Sequence, residues 1–222
     1  MGTDLIIHSG YLSRPEDSSK DLALLRLHRE VVGIKPIEFA EPNLEIENGE
    51  LLTAYGYGRT IPEGMENGED PYPKNLMKVD LPLLDRRTAL DWMEELNGSD
   101  SSKKISEKKK RLSAQELMSI EKKLDRDTPK DLLFVGWEKK SQDTCLGDSG
   151  GPLVHMLEGE PILLGTLSSG FHECGTARAP VIYVDIRKQV QWIKEQVEPA
   201  LLIKPALYQI SPAEPSFNQL EI

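Results

Sequence analysis

The chain has 222 residues, enough for one large domain or two small ones, and its 38% hydrophobic and 29% charged residues are ordinary for a globular protein. Its formal net charge of −10 argues against a nucleic-acid-binding protein, and no apolar run approaches the roughly 18 residues of a membrane-spanning helix. Residues 1–7 have neither the basic start nor the apolar run of a secretory signal. That leaves a cytosolic protein or a chain that has lost its beginning.

In chain order, most of the sequence is typical of short strands separated by turn residues. The clearest strand covers residues 76–84, where Met77, Val79, Leu81 and Leu83 alternate with the residues of a second face. Many short strands at this spacing indicate an all-β barrel or sandwich. The predicted strands are residues 3–8, 22–27, 51–55, 76–84, 132–135, 152–156, 162–167 and 181–184.

An insertion of about residues 98–131 interrupts this pattern. It begins with glycine, serine and aspartate, continues with a basic run over residues 103–111, and then shows the capping-box pair Ser113 and Glu116, which predicts one short helix. Because runs of like charge usually only face solvent, a solvated surface insertion is favoured over an anionic binding site.

The C-terminal part predicts a helix that Asp185 caps, followed by a tail at residues 198–222 that we expect to be extended or disordered because prolines punctuate it. The residues on the apolar face of this helix are Ile186, Val190, Ile193 and Val197.

Cys145 and Cys174 are the two cysteines of the chain. A bridge between them would close a loop of about 30 residues and stabilise the fold by roughly 3–4 kcal/mol. Two free buried thiols are the alternative, and composition does not decide between them.

The segment most indicative of chemistry is residues 143–154, Asp-Thr-Cys-Leu-Gly-Asp-Ser-Gly-Gly-Pro-Leu-Val. A serine hydroxyl becomes a nucleophile only when a base takes its proton, and the oxyanion that then develops needs backbone N–H donors. Glycines beside Ser149 permit the tight turn that brings such donors together. An ordinary glycine-rich turn is the alternative interpretation, and the length of the run argues against it.

This run resembles the nucleophile loop of the chymotrypsin/trypsin family of serine proteases. Residues 19–27 are similar to the strand bearing the family's aspartate, residues 55–60 to its Gly-Trp-Gly turn, and residues 165–170 to the strand that pairs with substrate. The resemblance covers about residues 3–197. It implies an all-β fold, a trypsin-like double β-barrel whose first barrel is incomplete, with a C-terminal α-helix and the helical insertion, and with residues 1–197 as the protease domain.

The resemblance also assigns roles. Ser149 would be the nucleophile, the N–H groups of Gly147 and Ser149 the oxyanion hole, and Asp21 the group that orients the catalytic histidine. Family members are activated by proteolysis, and the resemblance implies that Asp148 would form an ion pair with the new amino terminus. Without that partner Asp148 would be a buried unpaired carboxylate.

Cys145 and Cys174 occupy the positions of a family disulfide that braces the specificity pocket, which favours a bridge over free thiols and implies a secreted protein. Protein or peptide substrates and protease inhibitors are the expected partners. Nucleic acid, a membrane, a metal and a cofactor are not expected.

The resemblance places the specificity pocket among Asp143, Ser168, Gly170 and Val181. A carboxylate at position 143 favours substrates cleaved after Arg or Lys. Val181 stands where basic-specific members carry glycine, however, and its branched side chain would narrow the pocket and screen Asp143.

The family's general base is not found in its expected sequence context. None of the four histidines, His8, His28, His155 and His172, lies in an Ala-Ala-His-Cys-type segment. Without the base a serine triad loses roughly a million-fold in rate. Two explanations stay open: a full protease of which this chain is a part, and a non-catalytic homologue that binds a partner.

Overall fold

The computed structural model describes residues 4–14, 17–61, 67–97, 129–170 and 173–202, and strands are the main element there. The strands of these residues are β1 (Asp4–Ile7), β2 (Ala23–Arg26), β3 (Glu38–Phe39), β4 (Leu51–Gly56), β5 (Met77–Leu84), β6 (Leu132–Val135), β7 (Pro152–Leu157), β8 (Glu160–Gly170) and β9 (Val181–Asp185). The helices are α1 (Ser9–Ser13), α2 (Arg86–Asn97) and α3 (Val190–Leu202), with 3₁₀ turns at Ser18–Lys20 and Ile186–Lys188.

Six antiparallel strands close into a barrel in the order β4-β5-β6-β9-β8-β7, with β7 pairing back onto β4. Closure satisfies the backbone hydrogen-bonding groups that an open sheet would leave at its edges. The short strand β3 adds to β8 in parallel. This arrangement confirms the predicted all-β, trypsin-like class.

The core lies inside this barrel because each strand buries alternate side chains. In β5, Leu81 and Leu83 are buried whereas Lys78 and Asp80 are exposed, as the alternation predicted. The most deeply buried members of the core are Leu52, Leu81, Val135, Leu153, Leu164, Val181 and Tyr183.

The hairpin of β1 and β2 forms a separate two-stranded sheet. Leu22 and Leu24 from this region pack against Ile186, Val190 and Ile193 at the C-terminal end of the chain. A second, smaller apolar cluster therefore holds the segment that contains Asp21 next to the barrel.

The helices differ from the sequence prediction in two ways. Helix α2 was not predicted, although Asp85 accepts hydrogen bonds from the backbone N–H and hydroxyl of Thr88, the arrangement of an N-cap. These bonds, the hydroxyl first, hold the pKa of Asp85 below its ordinary value. The helix predicted near residue 113 lies outside the described residues.

Helix α3 also continues through Pro199 to Leu202, beyond the expected end of the domain at residue 197. A proline forfeits one backbone hydrogen bond, and the helix continues for only three residues after it. Its predicted apolar face is buried at Val190 and Ile193, whereas Val197 is 41% exposed. Among the described residues, no helix has both the length and the apolar character needed to cross a membrane.

Candidate active site

Ser149 lies on a tight loop that leads into β7. Asp148 donates its backbone N–H to the carbonyl of Cys145 at 3.0 Å, and Gly147 and Gly150 have φ angles of +97° and +79°. These left-handed conformations favour glycine, which explains the glycines on either side of the serine. The Ser149 side chain is exposed at the end of this turn.

The N–H groups predicted for the oxyanion hole have no hydrogen-bond acceptor among the described residues. A Cβ at Gly147 would lie 3.3 Å from a ring carbon of Tyr72 and 3.4 Å from the Cα of Gly58. A side chain at position 147 is therefore disfavoured by space as well as by its φ angle. The assignment of the Gly147 and Ser149 amides to an oxyanion hole stays a prediction.

Asp21 contacts the barrel strand that runs beside the nucleophile loop. Its carboxylate accepts a 2.8 Å hydrogen bond from the hydroxyl of Ser168, 147 residues later in the chain. The carbonyl of Leu167, the preceding residue, accepts the backbone N–H of Gly150 at 2.8 Å. Two consecutive residues of β8 thus contact Asp21 and the residue that follows Ser149.

Two contacts fix the turn that precedes Asp21. Lys20 forms a 2.8 Å ion pair with Asp131, and the buried side chain of Gln189 donates to the carbonyl of Ser19 at 3.3 Å. These contacts come from the residue just before β6 and from the segment before α3. They position Asp21 although it lies outside the barrel.

Asp148 is half-buried and accepts two backbone hydrogen bonds, from Gly58 at 2.7 Å and from Cys145 at 2.9 Å. The turn at residues 56–58 folds over Asp148 and supplies one of these amides, so the carboxylate is hydrogen-bonded, and its expected ion pair with a new amino terminus stays a prediction. A methyl group at Gly58 would overlap the Asp148 carboxylate. Sequence reasoning recognised this turn but did not connect it with Asp148.

A cavity of about 440 Å³ lies beside Asp148, and Asp143 also lines it. Asp143 accepts the backbone N–H of Thr144 at 2.7 Å. Burial raises the pKa of Asp143 to about 6, against the opposing effect of the Thr144 and Gly175 amides.

The other residues predicted for the specificity pocket, Ser168, Gly170 and Val181, do not line this cavity. Val181 is 1% exposed, pairs with Gly170 in the sheet and packs in the hydrophobic core. The hydroxyl of Ser168 instead donates a hydrogen bond to the Asp21 carboxylate, a contact that the sequence analysis did not predict. Asp143 lines this cavity together with Asp148, and its grouping with Ser168, Gly170 and Val181 in a specificity pocket stays a prediction.

Cys145 and Cys174 form the disulfide that the resemblance implied, with their Cα atoms 5.3 Å apart. The bridge joins the nucleophile loop to residues 173–180, which lead into β9. The two segments are therefore covalently joined at Cys145, shortly before Ser149.

The described histidines have other partners. His8 caps α1 by accepting the N–H of Gly10 at 3.0 Å and lies 4.6 Å from the ring of Trp192, and burial, followed by the charge of Lys20, lowers its pKa. His155 is buried, 3.5 Å from Glu50. The third described histidine, residue 28, is exposed, and residue 172 lies outside the described part.

None of these three described histidines forms a hydrogen bond with Ser149 or Asp21. Within the part of the chain that the structure describes, no cluster of three or more histidine, cysteine or acidic side chains is arranged to hold a metal ion.

Residues 92–193 match the family model for Trypsin. Together with the closed six-stranded barrel and the relatives described next, this match supports a trypsin-like serine protease fold for the chain.

The chain is 28% identical over 199 residues to phenoloxidase-activating factor 1 of Holotrichia diomphalia, covering 88% of the chain and 45% of that protein. It is 29% identical over 196 residues to kallikrein 1-related peptidase b1 of Mus musculus, covering 86% and 59%. A shorter match, 40% identity over 58 residues, joins it to the CLIP domain-containing serine protease B4 of Anopheles gambiae, over 26% of the chain and 16% of the relative. The chain therefore spans about half the length of the first two relatives.

Proposed function

We propose that this chain provides the nucleophile, the oxyanion-binding amides and the orienting carboxylate of a serine endopeptidase. The observation that carries the proposal is the 2.8 Å hydrogen bond between Ser168 and Asp21. It brings the carboxylate of a distant segment to the strand that pairs with the loop of Ser149. That juxtaposition supports the assignment of Ser149 as the nucleophile and of Asp21 as the group that orients its base.

In the proposed reaction, the Ser149 hydroxyl attacks the carbonyl carbon of a peptide bond while a histidine, oriented by Asp21, accepts the hydroxyl proton. The carbonyl oxygen becomes an oxyanion that the N–H groups of Gly147 and Ser149 bind. The C–N bond then breaks, the amine leaves with the proton from the histidine, and an ester to Ser149 remains. Water hydrolyses that ester in a second step. The histidine has to come from residues other than the three described ones.

The proposed substrates are proteins or peptides. Asp143 supports cleavage after basic residues, because a carboxylate offers a charge-assisted hydrogen bond to Arg or Lys. Its place beside Asp148 and the burial of Val181 weaken that preference. The disulfide supports secretion as the proposed location, since such bridges persist in oxidising compartments.

A fluorophosphonate probe tests the nucleophile, because it labels an activated serine. We expect the chain alone to label slowly, since the general base contributes a large part of the rate, and we expect added imidazole to accelerate the labelling. The label should disappear in Ser149→Ala, and the acceleration should decrease in Asp21→Asn. Ser13→Ala, an exposed serine of α1, is the matched control and should retain the label.

A non-catalytic homologue that binds a partner is the second candidate. The engagement of His8 and His155 in other contacts favours it. Absence of Ser149 labelling with imidazole, in a chain shown to be folded by circular dichroism, would support this candidate and contradict the first.

A further inference from the structure

Arg178 links helix α2 to the loop that precedes β9. Its guanidinium forms a 2.7 Å ion pair with Glu95 of α2 and lies 3.6 Å from Glu138, which follows β6. The same group lies 5.5 Å from the centre of the buried ring of Trp92, within reach of a cation–π interaction. One side chain thus contacts two elements besides its own loop.

The backbone of Arg178 indicates that this position is constrained. Its φ angle is +61°, a left-handed conformation that few non-glycine residues adopt. Its N–H donates to the carbonyl of Trp137 at 2.8 Å. Such a conformation persists only where surrounding contacts enforce it, and here both the backbone and the side chain of Arg178 are held.

The loop that Arg178 holds contains two groups that act on the candidate site. Cys174 is bridged to Cys145, at the start of the turn that leads to Ser149. The backbone amide of Gly175 interacts with Asp143 and favours its ionised form. A Cβ at Gly175 would lie 3.2 Å from the carbonyl oxygen of Ser141, so the loop is closely packed against the chain that carries Asp143.

We propose that Arg178 is a positioning residue: by anchoring residues 173–180 to Glu95 and Trp92 of α2, it fixes where the loop presents Gly175 to Asp143. The consequence for substrate selection rests on the proposed function, because Asp143 affects specificity only if the site binds substrate. The anchoring itself does not depend on that function.

The primary test follows the titration of the Asp143 carboxyl carbon by NMR, with the signal assigned through Asp143→Asn. In Arg178→Ala, the Gly175 amide should interact less with the Asp143 carboxylate. The ionised form is then stabilised less against the effect of burial, so the acid dissociation constant of Asp143 should fall about threefold. Arg178→Lys keeps a positive charge and should partly restore the wild-type value. Glu95→Gln should shift the constant in the same direction as Arg178→Ala and serves if that variant fails to fold.

The matched control is Lys35→Ala, which removes the exposed 3.6 Å ion pair with Glu160. It should leave the Asp143 titration unchanged. An unchanged or increased acid dissociation constant in both Arg178→Ala and Glu95→Gln would overturn the proposal. Such a result would leave the Arg178 contacts as ordinary surface ion pairs.

A second measurement separates this proposal from the proposed function. Benzamidine, a planar cation that a carboxylate can bind, is titrated into the wild type, Arg178→Ala and Lys35→Ala. If benzamidine binds the wild type, we expect roughly threefold to tenfold weaker binding to Arg178→Ala only, and equal binding to all three would count against the positioning role. If it binds none of them, the proposed basic specificity fails, and the NMR titration still decides the role of Arg178.

Discussion

Replacing Asp143 by asparagine should stabilise the protein at neutral pH. Burial raises the pKa of Asp143 from an ordinary 3.8 to about 6, so the folded state resists its ionisation by about two pKa units. Each unit corresponds to about 1.4 kcal/mol, which gives an upper limit of about 3 kcal/mol. The group is only partly buried, so solvent screening reduces the expected gain to about 1–2 kcal/mol. Asparagine can still accept the N–H of Thr144.

The pH dependence of the unfolding free energy determines where the stabilisation by Asp143→Asn should appear. Between about pH 4 and pH 6 the folded state holds a proton that the unfolded state has released, so the unfolding free energy of the wild type falls as the pH rises through this window. Below pH 4 the carboxyl group is protonated in both states and the penalty is absent. Above pH 6 the penalty is complete. Asparagine does not ionise, so its advantage should appear only on the alkaline side.

Urea denaturation at pH 7.5 and near pH 4, followed by circular dichroism, measures the difference. Asp143→Asn should be more stable than the wild type at the higher pH and nearly equal to it at the lower pH. Asp4→Asn is the control, because its side chain is 71% exposed, and it should have little effect at either pH. An equal gain at both pH values, or a loss at pH 7.5, would refute the claim that burial of the Asp143 charge destabilises the fold.

Two further predictions concern the contacts that assemble the site. Ser168→Ala should lower the unfolding free energy by about 1.5–3 kcal/mol in urea denaturation, because it removes the hydrogen bond to the Asp21 carboxylate. An equal loss in the neighbouring Ser169→Ala would show that this bond is not the cause. Gly58→Ala should lower the unfolding free energy by about 2 kcal/mol or more in the same measurement, because the added methyl group displaces the Asp148 carboxylate from a backbone hydrogen bond. An unchanged unfolding free energy would show that the carboxylate moves without cost.

Local patterns were enough to predict the barrel strands. In β5 the alternation of apolar residues matched the burial of Leu81 and Leu83, since side chains point to opposite faces along a strand. Helix α2 was missed because its burial is confined to a few positions such as Ala89 and Trp92 among polar residues. The N-cap at Asp85 was the local signal that would have revealed its start.

The sequence could predict the geometry of the site only for residues that are close to one another along the chain. The glycines around Ser149 belong to one turn, so their role follows from the sequence order. The contact between Ser168 and Asp21 joins positions 147 residues apart, and its geometry depends on how the segment before Asp21 packs on the barrel. No property of either residue alone, in the absence of the fold, selects the other as its partner.

The resemblance assigned Asp143 both a role and a set of neighbouring pocket residues. Its position before Ser149 made it part of a pocket with Gly170 and Val181, because the resemblance transfers residues and their grouping together. In the fold, Val181 belongs to the barrel core while Asp143 borders the cavity of Asp148. The charge on Asp143 is therefore governed by its burial and by the amides of Thr144 and Gly175. A basic side chain would have to compete with that environment, so binding of a cation at Asp143 should strengthen as the pH rises through about 6, when the carboxyl group loses its proton.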